Sequence, residues 1–187
     1  MEVKNWIHPA KHVKIIEGHE NSPHYIHAYR DGDSGVGSGI TIFSDNNLTA
    51  TLKYRLNGRY SKNQAEKMPI LKALEYIQYS KSDEKTVLVY TDRWITLQLL
   101  QNEKKSTHII EKIKTKLIEM EQQECIVEFS WIKAHAGHRG NELADKPAKE
   151  AVSSKTIEVY TRIPKSAVCS ELKEQSVKQW KNECERS

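Results

Sequence analysis

Cysteine is sparse and unpatterned: Cys125, Cys169 and Cys184 are the only 3 in 187 residues, and no two have CxxC spacing. That spacing argues for a reducing, intracellular compartment, nucleus and/or cytoplasm, with Cys125 a core thiol at the start of a strand. Long apolar runs are also missing. Nothing approaches the roughly 20 residues that span a bilayer, and the N-terminus carries Lys4, His8 and Lys11 without the apolar core of an export signal. No membrane partner is expected. Charge of one sign is lacking too, because 29 basic residues against 25 acidic ones leave a net charge of only +4. Such a balance favours an anionic partner without establishing one.

What is present suits one compact domain with extensions, since 37% hydrophobic residues suffice for a single core. Residues 1–22 mix Pro9 with charges and three histidines, show no sustained period and read as a lead-in with a short pairing around Val13 to Ile16. A β pattern begins at His24. Two turns, Gly35 to Gly39 and Asp45 to Asn47, separate three antiparallel strands that end near Leu56. Helical spacing runs from Asn63 to Tyr79, and Thr86 to Tyr90 is a continuous apolar run of the kind buried on both faces in parallel sheets. A short helix over Ile95 to Leu100, a helix over His108 to Met120, a strand over Ile126 to Trp131 and a helix over Gly140 to Ala151 complete the domain. The expected class is α/β: a mixed five-stranded sheet, three antiparallel strands and then two parallel ones, flanked by helices. The expected units are a lead-in at 1–22, a domain at 23–152 and a helical extension at 153–187, truncated from a longer chain.

Carboxylates recur at the element ends. Asp31 follows the first strand, Glu66 opens a helical pattern, Asp92 follows the apolar run, and Asp145 closes the stretch His135-Ala-Gly-His138-Arg-Gly140-Asn141-Glu142-Leu-Ala-Asp145. Four carboxylates at element ends look like a metal site, since clustered oxygen ligands are what hard divalent cations take. Four acids brought together repel one another when empty, and so attract hard cations. A single aspartate is ordinarily surface solvation; the ordered set carries the reading. His135-x-x-His138 alone is a poor zinc motif, because no second ligand pair accompanies it.

Asp31-Gly32, the Glu66 helix, Thr91-Asp92 and the His135 to Asp145 signature, in this order, resemble the ribonuclease H family over roughly residues 24 to 152. The signature Gly140-Asn-Glu-x-Ala-Asp145 separates this resemblance from integrases, resolvases and transposases of similar fold. Its wording, with Lys149-Glu150-Ala151 and the tail Ile163-Pro164-Lys165-Ser166, is most similar to the version attached to reverse transcriptases of non-LTR (LINE-type) retrotransposons. The resemblance implies an endonuclease that cuts the RNA strand of RNA/DNA hybrids during reverse transcription, using two Mg²⁺ ions for which Mn²⁺ can substitute. It implies that Asp31 bridges both ions, that Glu66, Asp92 and Asp145 complete the shells, and that a mobile His135 assists protonation or product release. The implied partners are the hybrid and a reverse transcriptase domain in the same polyprotein.

Selecting RNA requires polar, uncharged groups along the minor groove to meet the 2′-hydroxyl. Ser34, Asn63 and Gln64 have that chemistry, although Asn63 is equally a helix cap. Lys53, Arg55 and Arg59 face either phosphates or plain solvent. Several neighbours depart from the family: Arg30 stands where Thr is usual, Asp33 follows Asp31-Gly32, and Arg93 holds a common Ser position. Pro69 and Pro147 fall within helical patterns, where kinks or early helix ends are expected. The departures support a second reading, a catalytically weakened or non-cleaving nucleic-acid-binding or scaffold module of a polyprotein.

Overall fold

The computed structural model describes residues 9–16, 24–31, 35–44, 47–56, 62–80, 85–104, 107–133, 139–153 and 165–185. A 3-10 turn at Pro9–His12 leads into β1 (Lys14–Ile16), followed by β2 (His24–Asp31), β3 (Gly35–Ser44) and β4 (Asn47–Leu56). Then come α1 (Lys62–Ala65), α2 (Met68–Tyr79), β5 (Thr86–Thr91), α3 (Trp94–Gln101), α4 (His108–Gln122), β6 (Ile126–Trp131), α5 (Arg139–Ser153) and α6 (Lys165–Cys184). The sheet runs β1-β6-β5-β2-β3-β4. β2, β3 and β4 pair antiparallel, while β5 is parallel to both β2 and β6. The expected mixed sheet therefore gains a sixth strand, because Lys14 to Ile16 of the lead-in pair in parallel with Glu128 to Ser130. Ala10 and Val13 are buried beside it.

Alternation along the strands sorts the sheet into two faces. Ile40 and Ile42 of β3, Val87 and Val89 of β5, and Val127 and Phe129 of β6 join Ile70, Leu74 and Ile77 of α2 and Ile109, Ile113 and Leu117 of α4 in the main core. Leu88, Tyr90 and Ile132 form a smaller cluster with Ile16. Lys114, although fully buried, donates from Nζ to the carbonyl of Asn102 at 2.8 Å, placing its ammonium on the C-terminal end of α3. Among the described residues, no helix is long and apolar enough to cross a membrane.

Gly35 to Gly39 do not form the expected turn; they open β3. The reason is α5. A Cβ on Gly37 would lie 1.9 Å from the Ala148 carbonyl oxygen, and one on Gly39 would lie 2.1 Å from that of Ala144. The helix thus presses its backbone against a strand that has no side chains there, through a stripe of fully buried Ala144, Ala148 and Ala151. Pro147 is buried on the same face, and α5 runs through it without the early end its position suggested. Pro69, by contrast, marks a break: α1 stops at Ala65, and Pro69 falls in the first turn of α2, where its missing N–H costs no intrahelical bond.

Gly39→Ala is expected to destabilise the fold by about 1–3 kcal/mol or more, since neither backbone atom it meets can move aside without shifting the helix. The urea midpoint of the variant reads this directly, and an unchanged midpoint would refute the close approach.

Candidate active site

Two of the acids, Glu66 and Asp92, come together from different elements. Asp92 steps off the end of β5, while Glu66 sits in the turn between α1 and α2, where the Lys67 N–H donates to the Gln64 carbonyl at 3.1 Å. Both carboxylates are withdrawn from water, with side-chain exposures of 3% for Asp92 and 12% for Glu66. One guanidinium serves both: Arg93 Nη1 lies 3.4 Å from Glu66 Oε1, and Arg93 Nε lies 3.1 Å from Asp92 Oδ1. The second distance satisfies an ion pair, yet Nε is buried and has no hydrogen-bond acceptor among the described residues, so that contact is charge against charge without a directional bond.

Local sequence explains why Arg93 turns this way. It precedes α3, at φ −102° and ψ 77°, the place where a Ser or Asp would cap the helix, and its side chain makes no cap. Its backbone N–H instead donates to Thr91 Oγ1 at 3.2 Å, leaving the long side chain to reach the acids. The carbonyl of Asp92 accepts from Trp131 Nε1 at 3.1 Å, and Trp131 meets Trp94 edge to face at a centroid separation of 6.5 Å. Lys67, buried beside Glu66, has its pKa pushed down by burial, partly opposed by the Glu66 charge.

Asp145 lies in α5 and pairs with Lys149 one turn on, the favourable order for an acid and a base on a helix. Asp31 ends β2 opposite Gly35. The parallel ladder sets Ile26 opposite Thr91, so His27 is level with Asp92 and Asp31 lies four positions farther along, about 13 Å at the usual strand rise. The structure thus gathers Glu66 and Asp92, places Asp145 on the helix that covers the sheet, and carries Asp31 past the end of β5. Ser34 and His135 lie outside the described residues. Asn63 and Gln64 are inside α1, Asn63 exposed and Gln64 half-buried, so Asn63 does not occupy the cap position. Lys53 pairs with Glu150 of α5 at 3.5 Å, and Arg55 is half-buried on the same strand.

Among the described residues, no three acids, histidines or cysteines converge closely enough to hold an ion. The donor chemistry still suits a hard divalent cation, because two nearly buried carboxylates turn onto one positive group and neither can be left without a counter-charge. A family model for RNase H matches residues 23–153, which is more than half of the chain. The chain belongs to the RNase H family.

Among solved structures, LC11-RNase H1, found in compost and determined in complex with an RNA/DNA hybrid, is 19% identical with a TM-score of 0.55, covering 70% of this chain and 98% of its own. RNase H1 from the halophilic archaeon Halobacterium salinarum NRC-1 is 17% identical with a TM-score of 0.54, over 74% of this chain and 97% of its own. At such identities the likeness shows the RNase H fold alone. A comparison with curated proteins finds no match. The hydrogen bond from Trp131 to the Asp92 carbonyl has no signal in the sequence, whereas the Asp145 and Lys149 pair is visible in its i,i+4 spacing.

Trp131→Phe removes the donor to the Asp92 carbonyl and is expected to cost about 0.5–1.5 kcal/mol, as loss of one hydrogen bond does. Chemical denaturation checks it; a stability equal to wild type would mean that Asp92 is positioned by other contacts.

Proposed function

We propose that this RNase H domain is a metal-dependent endonuclease that hydrolyses the RNA strand of RNA/DNA hybrids. The observation that carries the reading is the convergence of Glu66 and Asp92 on one cationic group at the end of β5, in a chain that the RNase H family model matches. The complex of LC11-RNase H1 with a hybrid supports the substrate class. Asp31, Glu66, Asp92 and Asp145 would hold two divalent ions, Mg²⁺ or Mn²⁺, which when bound supply an activated water and charge relief on the leaving oxygen. Around them, Trp131 keeps the Asp92 turn in place and α5 carries Asp145 to the sheet. His135 moves a proton during cleavage or release, and Ser34, Asn63 and Gln64 meet the RNA strand. The work assigned to the domain is removal of template RNA during reverse transcription, beside a polymerase in a LINE-type polyprotein. That context rests on the wording of residues 140–151 and the tail.

A second reading, a weakened or non-cleaving hybrid-binding module, is favoured by two particular observations. Arg93 already engages Glu66 and Asp92, and the ladder carries Asp31 four positions past the level of Asp92. A strand shift of four residues would bring Asp31 level with Asp92 while keeping every side chain on its face, because the side-chain period is two.

Incubating labelled hybrid, duplex DNA and single-stranded RNA with and without Mg²⁺ or Mn²⁺ separates the two. Cleavage of the hybrid alone, dependent on the ion, is expected; no cleavage under either ion would contradict the nuclease reading. Asp31→Asn is expected to abolish cleavage with the fold intact, and His135→Ala only to slow it, with partial recovery at higher metal concentration.

A further inference from the structure

We propose that Arg93 is a built-in competitor for the divalent cation, its guanidinium and a metal ion taking turns in the same place between Glu66 and Asp92. The inference rests on reading these acids as divalent-ion ligands and is independent of whether the chain cleaves a hybrid. Four features of the contact lead to it. Asp92 and Glu66 are almost wholly buried, so the pair requires a positive partner at all times. Arg93 supplies one from the adjacent residue, within ion-pair distance of both oxygens.

The guanidinium is nevertheless poorly seated. Its buried Nε has no hydrogen-bond acceptor among the described residues, a cost that disappears when the side chain leaves. An exit exists, because the Arg93 side chain is 31% exposed whereas the acids are not. A hard cation, indifferent to hydrogen-bond direction, fits the same two carboxylates better and must first displace the arginine. The apparent affinity for metal is then the intrinsic one reduced by the fraction of molecules in which Arg93 has swung out. An arginine in the place before α3 thereby exchanges a helix cap for a metal-responsive counter-charge.

The test uses the full chain, with Arg93→Ser, Arg93→Gln and, as a control for net charge, Lys178→Gln on α6, where Lys178 pairs with Glu174. Mn²⁺ binding is followed by the spectroscopic signal of the free ion, and melting temperature is recorded with and without Mg²⁺. Both Arg93 variants are expected to bind Mn²⁺ about tenfold more tightly than wild type and to gain more melting temperature from Mg²⁺. Arg93→Ser also supplies a cap to α3, which moves the melting temperature equally with and without metal, so the metal-induced increment reads the competition. Equal Mn²⁺ affinity in wild type and both Arg93 variants, or an equal gain from Lys178→Gln, would overturn the proposal. Tighter Mn²⁺ binding without hybrid cleavage in any protein would leave the competition standing and remove the nuclease reading; cleavage with unchanged Mn²⁺ affinity would do the reverse.

Discussion

The backbone of α5 rests directly on the backbone of β3, and the site depends on that contact. Gly37 and Gly39 leave room for it, and the buried alanines 144, 148 and 151 supply a helix face flat enough to use it. A Cβ on either glycine would meet a helix carbonyl oxygen far inside contact distance, so the helix would have to lift. Asp145 rides on this helix. Its distance from the sheet acids is therefore set by two glycines on another element, and close packing leaves little slack for adjustment.

Charge balance is the second constraint. Three acids of the set have a basic partner: Arg93 spans Glu66 and Asp92, and Lys149 pairs with Asp145. The two arrangements differ in consequence. Lys149 is half-exposed and its pair is screened by water, so an ion or substrate displaces it at small cost. Arg93 faces carboxylates with little access to solvent, where removing one charge without replacing it is expensive. A cation drawn to Glu66 and Asp92 would have to displace Arg93.

Element types were legible because their periods are distinct. The apolar run at Thr86 to Thr91 and the stripe from Ile109 to Met120 appear as a buried parallel strand and a one-sided helix. The glycines at 35 to 39 misled, since glycine density signals a turn, whereas here it signals a neighbouring helix that no local pattern announces. Of the two outcomes expected at Pro147, the early end does not occur, because tertiary burial holds a helix that intrinsic propensity would end. The lead-in strand was faint because three residues at a sheet edge carry no usable period, and its pairing partner lies more than a hundred residues away. Of the site, the acids and their order could be read from the chain. The guanidinium between two of them could not, because side-chain direction depends on a backbone geometry that residue spacing does not reveal. The ladder register that separates Asp31 from the level of Asp92 is likewise a property of pairing.

In the proposed function, Asp31, Glu66, Asp92 and Asp145 share one divalent-ion site at the end of this sheet. Substoichiometric Mn²⁺, followed by the broadening of backbone amide resonances, tests it most directly, because broadening falls steeply with distance from the ion. Amides at all four positions are expected to broaden together at the lowest Mn²⁺ concentrations, ahead of those at Glu75, Glu111 and Glu119 on α2 and α4. Broadening that spares Asp31 or Asp145, or that reaches the surface glutamates equally early, would contradict it.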